Sequence, residues 1–151
     1  MNKEYIRLIR KNRSLVLERW RQSVLAFFPQ KMHSATPLAE ALSEVLAEIL
    51  DALGESPERV GETVNRISRI LAVQNFPPSK AMSLFFELKS ILREMAPGNE
   101  KKKHWEEFQA SIEHLTLQAF DSYMVHREKI YQLKVEESKR QTFMMSRRAK
   151  A

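Results

Sequence analysis

Residues 57–95 read PERVGETVNRISRILAVQNFPPSKAMSLFFELKSILREM, and their spacing decides the fold class. Ser56-Pro57-Glu58 is a helix start. A serine oxygen can take an early backbone N–H, and proline suits the first helical position, where its missing amide costs nothing. From there Val60, Val64, Ile67 and Leu71 recur at steps of three and four, one face of a helix over roughly 57–73. Gly61 weakens its first turn slightly. The stretch Gln74-Asn75-Phe76-Pro77-Pro78 interrupts the pattern. A second helix then carries Ala81, Leu84, Phe85, Leu88, Ile91, Leu92 and Met95 on a broad apolar face. Lys80, Ser83, Glu87, Ser90 and Glu94 leave it only a narrow polar stripe, so it is expected to lie centrally. Neither here nor elsewhere does period-2 alternation bounded by turn residues appear, and the chain reads as all-α.

Towards the N-terminus the same logic gives three more helices. A short one over Lys3 to Lys11 is separated by Asn12 to Ser14 from a second over about Leu15 to Phe28, which Pro29 ends. In the second, Val16, Trp20, Val24 and Phe27 share a face. QKMHSA reads as a loop. Thr36-Pro37 repeats the start signal, and Leu38, Leu42, Val45, Ile49 and Leu53 form the next stripe, with Gly54 as its stop. Ala96-Pro97-Gly98-Asn99 closes the central helix.

The last 52 residues contain neither glycine nor proline. Trp105, Phe108, Ile112, Leu115 and Ala119 mark a buried face, which Phe120, Tyr123, Met124, Ile130, Tyr131 and Leu133 are expected to extend. One helix of that length would span about 78 Å, against a radius of gyration of about 15 Å for a compact domain of this size. Either it breaks without a breaker residue or its end leaves the body. The expectation is that it protrudes, with a body over residues 1–133 and a projecting basic helix or tail over 134–151. Beyond Leu133 the large apolar side chains thin to Val135, Phe143, Met144 and Met145.

The composition sets bounds on function. With 151 residues the chain suffices for one domain with a real core, and zero cysteines exclude disulfides, thiolate metal sites and thiol nucleophiles. No apolar run approaches the roughly 20 residues that cross a bilayer, and MNKEYIRLIRKNRS lacks a secretory apolar core. A soluble, cytoplasmic protein is expected. Residues 1–21 carry seven Lys/Arg against two Glu, and residues 126–151 eight against three, leaving ten against fourteen between them. The net charge of +6 therefore sits at two basic, apolar-interleaved ends.

Chemistry-bearing constellations are scarce. His33, His104, His114 and His126 form no i,i+4 pair, and neither HExxH nor Glu-x-x-His occurs. Glu106-Glu107 and Glu136-Glu137 are adjacent, so they point about 100° apart on a helix. Glu40, Glu44, Glu48 and Asp51 read as the solvated back of their helix, and Lys101-Lys102-Lys103 as solvated surface. Gly-rich phosphate loops and GxSxG are absent. No enzyme, cofactor or metal is expected. A helix-turn-helix would need a shorter connector than the Phe-Pro-Pro turn that follows Arg66 and Arg69. Trp20, Phe76 and Phe85 suit a packed core and equally the lining of a ligand pocket.

SRILAVQNFPPSKAMSLFFELKSILREM, residues 68–95, resembles the central signature of the RsbT co-antagonist RsbRD N-terminal domain family. The resemblance rests on Arg69, Ile70, Ala72, Gln74, Phe76, Pro78, Ser79, Ala81, Leu88 and Lys89. Trp20 within LERWRQSVLAFFP and the segment SYMVHREKIYQLKVEESKRQTF fit the family's ends. One position departs: Pro77 stands where a capping Ser or Thr is expected. The resemblance implies a globin-like bundle of about six helices without haem, usually dimeric, joined in longer relatives to a STAS domain within the stressosome. A standalone version without a STAS domain is expected, which would pass its state to a separate protein partner through its last helix.

The expectation is thus a non-enzymatic regulatory module. Its partner or dimer contacts are expected at Tyr123, Ile130, Tyr131, Leu133, Lys134, Arg140, Phe143 and Met144. Two alternatives are a basic nucleic-acid or anionic-surface binder, for which salt would weaken binding steeply, and a carrier of a small apolar ligand.

Overall fold

The computed structural model describes residues 1–28, 36–74, 76–98 and 101–150. Among the described residues six α-helices follow one another: α1 (Lys3–Lys11), α2 (Arg13–Leu25), α3 (Pro37–Ala52), α4 (Pro57–Val73), α5 (Pro78–Met95) and α6 (Lys102–Lys150). No strand occurs among the described residues.

Local chemistry sets the helix starts. Asn2 accepts from the amides of Glu4 and Tyr5, Thr36 Oγ1 from Ala39 at 3.1 Å and Ser56 Oγ from Arg59 at 3.3 Å, each satisfying an amide with no partner inside its helix. Pro37 and Pro57 take the first helical positions as read from sequence. At α5 the departure at Pro77 has a visible consequence. Pro77 occupies the N-cap without a side-chain bond, Pro78 opens the helix, and the Pro77 carbonyl takes the amides of Lys80 and Ala81.

Two boundaries differ from expectation. α2 begins at Arg13 and ends at Leu25, short of Phe28. Its C-terminus tightens through bonds from Phe27 to Val24 and from Phe28 to Leu25, three residues back, a common way to use the last carbonyls. Pro29, the QKMHSA loop with His33, and Asn99 lie outside the described residues. Gly54 follows α3 as expected, but for another reason. A Cβ there would come within 2.7 Å of the Arg10 guanidinium and 3.2 Å of Ile6, so the glycine lets α1 approach.

α6 packs on α4, α5 and α1, while α2 bridges α3 and α5. Trp20, Leu42, Leu46, Ile49, Ile67, Leu71, Leu84, Phe85, Leu88 and Phe108 make the fully buried centre. The Trp20 indole donates to the Leu84 carbonyl at 2.8 Å, fixing α2 against α5. Tyr5 stacks on Phe108 with centroids 4.5 Å apart, seating α1 on α6. The acidic side of α3 is not wholly solvated: Asp51 accepts both the Nε and the Nη2 of Arg13, and Glu48 pairs with Arg66 of α4.

Candidate interaction helix and its root

The 49 residues of α6 form one unbroken helix about 74 Å long at 1.5 Å per residue. The break that lack of a breaker residue left open does not occur. Phe108, Ile112, Leu115, Thr116, Ala119 and Tyr123 are its buried residues, a single line at helical spacing. Tyr123 is the last of them. Further on, Ile130 is half-buried against the body, and from Tyr131 to Lys150 every residue except Val135 is exposed.

This geometry corrects part of the expected buried face. Leu117, Phe120, Met124 and Tyr131 are 66%, 41%, 40% and 69% exposed. Phe120 and Met124 each follow a buried residue directly, so each is turned about 100° away from it. The four recur at steps of three, four and seven and line the outward side of the helix. Leu133 is exposed as well, and Trp105 is half-buried, with the Arg93 guanidinium 4.6 Å over its ring.

Where the helix leaves the body, four side chains tie it to α4 and to the connector after it. Ser122 Oγ donates to Asn65 Oδ1 at 3.0 Å, and His126 Nε2 lies 2.9 Å from the same oxygen. Tyr123 donates its hydroxyl to the Phe76 carbonyl, and Arg127 donates to the Ala72 carbonyl at 2.7 Å. A guanidinium at the C-terminal turn of α4 complements the partial negative charge there. Burial pushes the Tyr123 phenol above its ordinary pKa, with the Arg127 charge partly opposing, so the hydroxyl stays a neutral donor. His126 is held below the ordinary imidazole value, first by burial and then by the charges of Lys129 and Arg69.

The residues read as candidate sites fall into two groups. Trp20, Phe76 and Phe85 belong to one buried cluster, with Phe76 against Phe28 edge to face at 4.9 Å. Of the expected contact set, Tyr131, Leu133, Lys134, Arg140, Phe143 and Met144 are exposed and Ile130 half-buried. Tyr123 lies beneath the surface, because its ring closes the buried line and its hydroxyl is used inside. Arg140 pairs with Glu137 at 3.1 Å. A shallow groove along the exposed end runs past Tyr131, Val135, Ser138, Thr142 and Phe143. Sequence reasoning missed the outward stripe starting at Leu117, although its own helical spacing was present. It also missed Asn65 and Arg127, for which no local signal exists.

Among the described residues no three His, Asp or Glu converge as metal ligands, and no helix is long and apolar enough to cross a membrane. The molecule is a helical domain with an elongated, exposed final helix. Residues 14–137 match the RsbT co-antagonist protein rsbRD N-terminal domain, and the chain belongs to that family, a stressosome-related regulatory sensor domain. A protein of Archaeoglobus fulgidus described as uncharacterized is 29% identical over 137 residues, spanning 89% of each chain. No solved structure matches.

Proposed function

We propose that the chain is a non-enzymatic regulatory module that acts through protein–protein contacts, as a homodimer in the cytoplasm. Its state leaves through α6. The observation that carries this reading is the continuation of α6 for 27 residues beyond Tyr123, roughly 40 Å of helix that the body barely covers. The outward stripe of Leu117, Phe120, Met124 and Tyr131 supports pairing with a second copy. A contiguous apolar face on a monomer is uncommon away from an interaction site. Past it, Leu133, Lys134, Arg140, Phe143 and Met144 offer a basic and apolar handle to a protein partner.

Truncation after Lys129 tests the handle. The shortened chain is expected to keep its helical content and cooperative unfolding, because every fully buried side chain lies before that point. It is expected to lose the partner that the full chain holds. Retention of that partner at full strength by the truncated chain would refute the assignment.

A further inference from the structure

We propose that Tyr123 and Arg127 of α6, with the Phe76 and Ala72 carbonyls they hold, form a releasable latch that sets the direction in which α6 leaves the body. This deepens the reading of α6 as the output element and rests on it.

The ties divide into two kinds by where they anchor. Ser68 Oγ donates to the Ala119 carbonyl at 3.3 Å, and Ser122 and His126 meet Asn65. These hold α6 to the middle of α4, from one rigid helix to another. Tyr123 and Arg127 instead hold carbonyls at the end of α4 and beyond it, those of Phe76 and Ala72. The Ala72 carbonyl lies in the last turn of α4 and that of Phe76 in the connector beyond it, so neither has an amide four residues on within α4 and each accepts a side chain instead. The first set acts as a pivot, and the second as the latch.

The position of the latch fits this role. It sits at the last fully buried residue of α6, where a small change in seating becomes a large displacement along the 27 residues beyond. Its acceptor side is also connected to α2 and α5. The Phe76 ring packs against Phe28, three residues beyond the end of α2, and Lys80 of α5 lies 5.6 Å from the ring centroid. Ring and carbonyl belong to one residue, so an input that displaces the ring displaces the acceptor of Tyr123. Opening at the part-buried Arg127 exchanges a protein hydrogen bond for water bonds, a modest net difference, whereas opening at Tyr123 must also bring its buried hydroxyl to water; an input with unequal affinity for the two states shifts the balance by as much as it offsets these costs. With the pivot intact, opening swings α6 and keeps its far end helical, while the turns at its root, no longer clamped, open more often.

The test uses the absence of native cysteine. Spin labels go on Ser90→Cys of α5 and Ser138→Cys of α6, both exposed, and the distance distribution is measured by double electron–electron resonance in the full chain. Tyr123→Phe with Arg127→Met deletes the latch donors and keeps the ring and the apolar stem. The expected result is a shifted or broadened distribution, with hydrogen exchange over 120–133 faster on the order of tenfold. Lys134→Ala, as control, leaves both unchanged. If the double variant fails to fold, Arg127→Met alone, which alters no fully buried side chain, decides the case. An unaltered distribution and unaltered exchange in a folded latch variant overturn the proposal. The function is judged separately, from wild-type mass and partner retention. A latch without a partner would sink the functional reading, and a partner with an unaltered exit would sink the latch.

Discussion

Replacing Trp20 with phenylalanine tests the packing of α2 on α5. The indole is fully buried and donates to Leu84 at 2.8 Å. Phenylalanine keeps an aromatic ring but removes the N–H and the smaller ring. Loss of the hydrogen bond costs about 1 kcal/mol. The Leu84 carbonyl is inside α5, where the amide of Leu88 remains available, so no stranded acceptor is added. The void left is on the order of 40 Å³, which at about 24 cal/mol per Å³ adds roughly 1 kcal/mol, and the lost transfer energy contributes about another 1 kcal/mol. The sum is about 3 kcal/mol. For a domain of this size that lowers Tm by about 6–12 °C. Urea unfolding followed by circular dichroism gives the free energy, and calorimetry gives Tm. Leu15→Ala on the exposed side of α2 is the reference and is expected to change stability by less than about 0.5 kcal/mol. A loss under about 1 kcal/mol for Trp20→Phe would refute this packing of α2 on α5.

Gly54→Ala is expected to change stability by less than about 1 kcal/mol, because the Arg10 guanidinium, at the end of a flexible side chain, swings aside and Ile6 gives by a few tenths of an ångström; a larger loss in urea unfolding would show that α1 is held rigidly there. His126 favours its neutral form in the fold, so its contribution is complete above about pH 6.5 and is lost as pH falls through its lowered folded value. Comparing the pH dependence of stability with His126→Gln, which retains a donor towards Asn65, is expected to flatten the acid side; identical profiles would exclude the effect. Phe143→Ser with Met144→Ser is expected to leave Tm unchanged while weakening partner capture, since both side chains project from an uncovered helix. A marked fall in Tm would place that segment in the folded core instead.

The helix starts were legible because they are local. Thr36-Pro37 and Ser56-Pro57 carry their own donors, acceptors and fixed backbone angles, and both begin helices as read. The buried line of α6 was legible as far as Ala119 for the same reason, since spacing reports a face. Past that point hydrophobicity alone points Phe120 and Met124 inward, although each lies about 100° from its buried neighbour; apolar character does not itself decide burial. Gly54 was read as a backbone stop because sequence cannot show that α1 passes beside it. Asn65, Ser122, Tyr123, Arg127 and the Phe76 carbonyl come together only once α6 lies on α4, at separations from 47 to 57 residues. No periodicity encodes such a meeting, so the root of the exposed helix became visible only in three dimensions.

Native mass spectrometry of the full chain beside the Leu117→Glu, Met124→Glu double variant bears most directly on α6 as the interaction element. The account predicts twice the chain mass of 17.7 kDa for the wild type, and a folded monomer once two carboxylates stand on the outward stripe. A wild type that stays monomeric at tens of micromolar, or a variant that dimerises unimpaired, would contradict it.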